Sequence, residues 1–483
     1  TWSHDAAIKV EAGVDVELML AEGAALLERA AAREELPRAS VVLEGDTIVK
    51  LGRATDIDAW IAADPAQRQP HQRVDARGCV VLPGLVNCHH HLYQTLTRAI
   101  GTGQGRTLFD WLKMLYPVWA EMDPEAIHVS TQIGLAELLL SGATTVADHL
   151  YLFPNGTRLD DEIAAAQTMG VRFHPTRGSM SVGESLGGLP PDRVVEREAA
   201  ILADSQRVIE TFHDPAPRSM LRIGLAPCSP FSVSGNLMRE SARLARTYQR
   251  VGLHTHLAET LDEERFCLEK FGMRPLDYAE SVEWLGGDVW FAHMVHPSDA
   301  DMGKLAHHCS GVCHCASSNM ILASGIAPVR QMLDRGVRVG LGVDGSASND
   351  GNQMLGEARQ TMLLQRVGWP GFESRADRLS AREALELATL GGAKVLQRDD
   401  IGSLEPGKAA DLVAFRIDDL GHAGALGDPV AALLTCAPTQ VWLSVINGRI
   451  VVENGALKGV DLPTLIQRHN TASMSMLKKS GLI

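Results

Sequence analysis

Eight short β-branched or apolar runs, separated by helix-length segments, constrain this 483-residue chain more than any other feature. They fall at 79–82, 144–147, 171–174, 221–225, 252–256, 289–292, 311–314 and 337–342. The segment 125–140 follows Asp123 as N-cap and Pro124 as first helical residue, and it stops at Gly142. Further helical patterns cover 192–212, 236–250 and 327–335. Eight strand–helix units predict an α/β fold, a (β/α)8 barrel. Hairpin signals flank this centre. Residues 40–44 and 47–51 surround a Gly45-Asp46 turn, while 410–415, 441–446 and 449–452 follow one another with Asn447-Gly448 between the last two. They predict a small β-sandwich domain built from both chain ends, with boundaries at 1–78, 79–397 and 398–483. The Ala/Glu/Leu-rich stretch 14–36 is expected to be helical.

Composition removes several classes of function. The chain carries 59 acidic against 45 basic residues, a formal net charge of −14, which argues against a binder of nucleic-acid backbones. No run approaches the length of about 20 apolar residues that a membrane helix needs. The first residues, Thr1-Trp2-Ser3-His4-Asp5, show no basic-then-apolar secretory pattern, and eight scattered cysteines make no disulfide framework. The expected setting is the cytoplasm, with no nucleic-acid and no membrane partner.

Possible metal ligands stand at the ends of the strand candidates. His89 and His91 are two apart, so on a strand both point to one face, and His90 points to the other. His254 and His256 repeat the spacing, with Glu259 just past the strand end. His293 ends the sixth run and Asp344 follows the eighth. His89, His91, His256 and Asp344 fill a site for one divalent cation, Zn²⁺ or alternatively Fe²⁺, with one position left for water. His254 is expected to support a ligand. His293 could be a ligand, a base or a buried structural histidine, and acid–base work is favoured. Glu259 suits proton shuttling. There is no lysine between Lys113 and Lys270, so the fourth strand cannot supply a carboxylated lysine to bridge two metals. The pair Cys313 and Cys315 shares one strand face without a second pair nearby, which disfavours a structural zinc.

The series Leu82-Pro83-Gly84-Leu85-Val86-Asn87-Cys88-His89-His90-His91, His256-Leu257-Ala258-Glu259, His293, Val343-Asp344-Gly345-Ser346 and Leu404-Glu405-Pro406-Gly407-Lys408 resembles the amidohydrolase superfamily over roughly residues 39 to 470. Within it, the chain is similar to the mononuclear deaminases. Asp148-His149-Leu150-Tyr151, Arg177-Gly178-Ser179-Met180-Ser181, Ala226-Pro227-Cys228-Ser229-Pro230 and Ser317-Ser318-Asn319-Met320 add to the likeness. The resemblance implies hydrolytic loss of the 2-amino group of 8-oxoguanine, giving urate and ammonia by way of a metal-activated water. Asp344 or His293 would take the water proton, and Glu259 would protonate the ring nitrogen. Gln94, Arg177 and Asn319 are the substrate contacts it suggests. The alternatives are guanine or isoxanthopterin deamination and triazine amino- or chlorohydrolysis, although the most similar triazine chlorohydrolase lacks the strand-eight aspartate present here as Asp344. Small-molecule substrate and water are the partners implied, and barrels of this kind are expected to form homo-oligomers.

Overall fold

In a computed structural model of the chain, residues 16–27, 34–68, 72–369 and 371–483 are described. Eight parallel strands close into a barrel: Leu85–Asn87, Ala143–Leu150, Arg172–Ser179, Gly224–Pro227, Gly252–Leu257, Val289–His293, Gly311–His314 and Arg338–Leu341, here the first to eighth strands. Pairing of Leu341 with Asn87 closes the ring. Nearly every strand residue is buried, as expected when side chains fill the barrel inside and helices cover it outside. The helix Pro124–Leu140 begins as its sequence requires: the Asp123 carboxylate accepts the Ala126 N–H at 2.9 Å, with Pro124 as first helical residue. It gives way at Gly142, where φ is 97°.

One strand expectation is corrected. The segment read as the first barrel strand, 79–82, lies in the strand Cys79–Pro83, which pairs antiparallel with Leu412–Arg416 in a different sheet. The apolar run 79–87 holds two strands, and Pro83-Gly84 divides them. The Gly84 N–H donates to Asp411 in the outer sheet, and the Leu85 N–H donates to Gly142 in the barrel wall. Gly84 has no room for a side chain, because a Cβ would lie 1.9 Å from Thr144 Oγ1. Apolar periodicity alone cannot reveal such a crossing.

The outer sheet joins both chain ends. Among the described residues it has nine strands, ordered from the C-terminal hairpin through Leu412–Arg416 and Cys79–Pro83 to Val16–Leu27, Glu34–Glu44 and Thr47–Arg53, with Gln72–Asp75 also paired to Val16–Leu27. Leu443–Ile446 and Arg449–Glu453 form the expected hairpin, whose Asn447 and Gly448 have φ of 52° and 76°, as a two-residue I′ turn requires. The helix expected over 14–36 is not formed in its described part. Val16–Leu27 is a strand, and residues 34–36 begin the next one. Helix propensity is a weak preference that pairing with strands on both sides overrides. Residues 14–15 and 28–33 lie outside the described residues. Among the described residues no helix is long and apolar enough to cross a membrane.

Candidate metal centre and cavity

The strand ends bring the histidines together on one mouth of the barrel. His89 and His91 follow the first strand, His254 and His256 end the fifth, His293 ends the sixth and Asp344 follows the eighth. These are C-terminal strand ends, where barrels of this type carry their sites. Three of the turns are left-handed at non-glycine residues: Ala258 (φ 52°), His293 (74°) and Asp344 (62°). Such conformations persist only when the surroundings over-determine them.

Hydrogen bonds fix the imidazole tautomers. His91 Nδ1–H donates to His149 O at 2.7 Å and His256 Nδ1–H to Cys228 O at 2.7 Å. His254 Nδ1–H donates to Trp290 O at 2.9 Å, which leaves its Nε2 to accept from His89 Nδ1–H at 2.8 Å. All three of His89, His91 and His256 therefore turn an Nε2 lone pair inward. His91 and His256 Nε2 are 3.0 Å apart, while Asp344 Oδ1 lies 3.1 Å from His89 Nε2 and 3.4 Å from His91 Nε2. Burial pushes His91 down to about 3 and His256 well below its usual value, so both are neutral, the form that ligates. Four buried acceptors facing one point repel unless a cation lies between them. The His89 Nε2 has no hydrogen-bond partner among the described residues. A donor set of three imidazoles and a carboxylate fits a first-row divalent ion.

Beside this cluster, His293 Nε2 is 3.5 Å from Glu259 Oε2 and 3.9 Å from Asp344 Oδ2. Its Nδ1–H donates to Asn319 Oδ1 at 2.9 Å. Burial opposes the His293 cation, but the Glu259 and Asp344 carboxylates outweigh it and raise its pKa. Burial likewise raises Glu259, whose Oε1 accepts from Ser324 Oγ–H at 3.2 Å. Both groups are poised to hold or pass a proton.

These groups form the floor of a cavity at the mouth of the barrel. Leu108, Trp111, Leu112 and Tyr116 from the helix Leu108–Trp119 line it, with Tyr151, Phe231 and Leu322. Flat apolar walls suit a planar ring. Two polar atoms of lining residues, Gln94 Oε1 and Tyr116 Oη, are buried without a partner among the described residues.

The sequence-predicted residues fall into three groups. His89, His91, His256, Glu259, His293, Asp344 and Gln94 meet at the cavity or its floor. His254 backs His89, and His90 turns away to bond Asn352 Oδ1 at 3.0 Å. Arg177 and Asn319 do not line the cavity. The Arg177 guanidinium is bound by Glu196 at 2.9 Å and Asp204 at 3.0 Å and lies 4.0 Å over the Phe153 ring. Among the described residues, Asn319 meets the site through its bond to His293. Two features were missed. The apolar helix Leu108–Trp119 has a sequence signal in Leu108, Trp111, Leu112, Leu115 and Trp119, spaced as one helical face. His149 stacks on His256 at 4.9 Å, and its ligand nitrogen lies within 4.8 Å of those of His89, His91 and His256; its place on the second strand carried no separate signal.

The chain belongs to the amidohydrolase family, which its residues 80–451 match. Residues 1–78 match a shorter domain described as alpha-1,4-glucan:maltose-1-phosphate maltosyltransferase, domain N/S. The chain is 48% identical over 435 residues to an 8-oxoguanine deaminase of Pseudomonas aeruginosa, covering 90% of this chain and 95% of that protein. It is 35% identical to an isoxanthopterin deaminase of an unknown prokaryotic organism, covering 89% of this chain and 90% of the other. Its fold superposes with a TM-score of 0.86 on a mutant atrazine chlorohydrolase of Arthrobacter aurescens TC1 complexed with zinc and atraton, at 33% identity, over 94% of this chain and 99% of that one.

Proposed function

We propose that the protein is a metal-dependent aminohydrolase that converts 8-oxoguanine to urate and ammonia. The observation that carries this reading is the meeting of three inward imidazole lone pairs and a carboxylate with Glu259 and His293 at the floor of one cavity. The 48% identity to an 8-oxoguanine deaminase supports the choice of ring. In this reading His89, His91, His256 and Asp344 hold one divalent ion, Zn²⁺, a metal also complexed by the mutant atrazine chlorohydrolase of similar fold, with Fe²⁺ the alternative. When bound, such an ion acts as a Lewis acid and lowers the pKa of water toward about 7.

The protein's own groups then move the protons. Water adds to the amidine carbon of the ring and loses its proton to Asp344 or His293. Glu259, whose carboxyl burial shifts above its usual pKa, gives a proton to the adjacent ring nitrogen. As the bond to the exocyclic nitrogen breaks, ammonia leaves with the proton that the base has carried, and the C–OH proton passes back to Glu259, leaving the carbonyl. Gln94, with its Oε1 unpaired among the described residues, is assigned to a ring N–H. Asn319 orients His293, and Arg177 is assigned no substrate contact. The wider reading is an enzyme of the cytoplasm that assembles as a homo-oligomer, which light scattering on the purified protein would test.

The test of the reaction is ammonia release with ultraviolet spectra on zinc-loaded protein. Guanine, isoxanthopterin and hydroxytriazines are run beside 8-oxoguanine. Urate formed at a kcat/KM of about 10⁴ M⁻¹s⁻¹ or better, above the other rings, supports the reading. Turnover confined to a pterin or triazine overturns the substrate and keeps the chemistry.

A further inference from the structure

Glu259 stands one residue past a backbone turn that an L-residue resists. Ala258 joins it to the fifth strand with φ 52°, a left-handed conformation that holds only under external constraint. One constraint comes from the sixth strand's end. Leu257 O accepts Met294 N–H at 3.2 Å, and Ala258 O accepts the N–H groups of Val295 at 2.9 Å and His296 at 3.0 Å.

The other constraint is a single side chain. Glu263 Oε1 accepts the Ala258 N–H and Oε2 accepts the Glu259 N–H, each at 2.9 Å. Glu263 is the third residue of the helix Leu261–Phe271, capped by Thr260, whose Oγ1 accepts the Glu263 N–H at 3.3 Å. A glutamate at this position ordinarily turns back to the N–H of the capping residue itself. Here the carboxylate reaches past Thr260 to the two residues before it. It does so while 1% exposed, a costly place for a carboxylate without a task.

We propose that Glu263 is a positioning residue for Glu259: its carboxylate clamps the turn at Ala258–Glu259 and so sets where the Glu259 carboxyl stands against His293 and the cavity. This rests on the reading of Glu259 as the proton carrier. The consequence concerns the chemical step, because small displacements of a proton-transfer group cost rate rather than affinity.

The experiment compares E263Q, E263D and the double variant A258G/E263Q with the wild type, on the azine the wild-type enzyme turns over best. E259Q runs in the same assay, and metal content and amide hydrogen exchange are measured on each protein. E263Q sets an amide NH₂ against a backbone N–H and should lower kcat by roughly 10²-fold, with KM little changed, metal retained and faster exchange at residues 258 and 259. E263D, whose oxygens fall short by one methylene, should do the same more mildly. Glycine takes a positive φ without strain, so A258G in the E263Q background should recover much of the lost kcat. Wild-type kcat in E263Q or E263D, or a loss that A258G does not relieve, overturns the proposal. Full activity in E259Q would instead overturn the role of Glu259. An inactive E259Q beside a fully active E263Q would sink the clamp alone.

Discussion

At the scale of single residues, the site is a problem of facing lone pairs. His91 and His256 present unprotonated nitrogens 3.0 Å apart, and each is held there by an Nδ1–H bond to a backbone carbonyl. Such carbonyl partners fix ring orientation and keep the ligating nitrogen free. Glu259→Gln should lower kcat by about 10²–10⁴-fold, the range for loss of a general acid or base, with metal content unchanged; activity and elemental analysis on one preparation check both halves. Much of this scale was legible. The two-residue spacing of His89 and His91 and of His254 and His256 placed each pair on one strand face, and the position of Glu259 past His256 placed it at the mouth. Arg177 was not legible, because its partners Glu196 and Asp204 come from a later segment whose approach to the third strand no local pattern shows.

At the scale of elements, the wall facing the metal centre is the helix Leu108–Trp119. Trp111→Ala would open the cavity and remove a flat apolar surface, so KM should rise by roughly tenfold or more, equivalent to about 1.4 kcal/mol or more of lost contact, with a smaller change in kcat. Steady-state kinetics separate the two. A second element ties loops together: Glu357, on the helix Met354–Arg366, accepts Ser317 N–H at 2.8 Å and Ser317 Oγ–H at 2.6 Å, joining the turns after the seventh and eighth strands. Burial pushes Glu357 up to about 7 from a usual 4.5. Between those values the folded chain holds a proton that the unfolded chain has released, so this group lowers stability as pH rises through that window. The urea midpoint should therefore fall less between pH 5 and 7 in Glu357→Gln than in the wild type. Seven of the eight barrel strands were legible as short apolar runs. The first was not, since one run, 79–87, feeds two sheets and only the break at Pro83-Gly84 marks the crossing.

At the scale of the whole molecule, the barrel and the outer sheet share a buried ion pair. Arg172, on the third strand, meets Asp411 with Nε–Oδ2 at 2.7 Å and Nη2–Oδ1 at 2.9 Å, and neither side chain is more than 3% exposed. Asp411 Oδ1 also accepts the Asn447 N–H at 2.8 Å, so one carboxylate ties barrel, sheet and hairpin turn. Arg172→Ala would leave that carboxylate buried without its cation and should cost about 3–5 kcal/mol of stability, read as a lower urea midpoint. The two-ended sheet was legible from its hairpins and turns. The strand Val16–Leu27 was not, because its composition favours a helix and its strand form comes from pairing, antiparallel with the next strand Glu34–Glu44 and parallel with Cys79–Pro83. In the proposed reading, one divalent ion held by His89, His91, His256 and Asp344 makes the chain a deaminase. The direct test strips the protein with a chelator and titrates Zn²⁺ back while following ammonia release from 8-oxoguanine. Activity that is absent at the start, rises linearly and levels at one equivalent per chain is the expected result, with His256→Ala failing to recover. Full turnover by the stripped protein, or a plateau only at two equivalents, would contradict it.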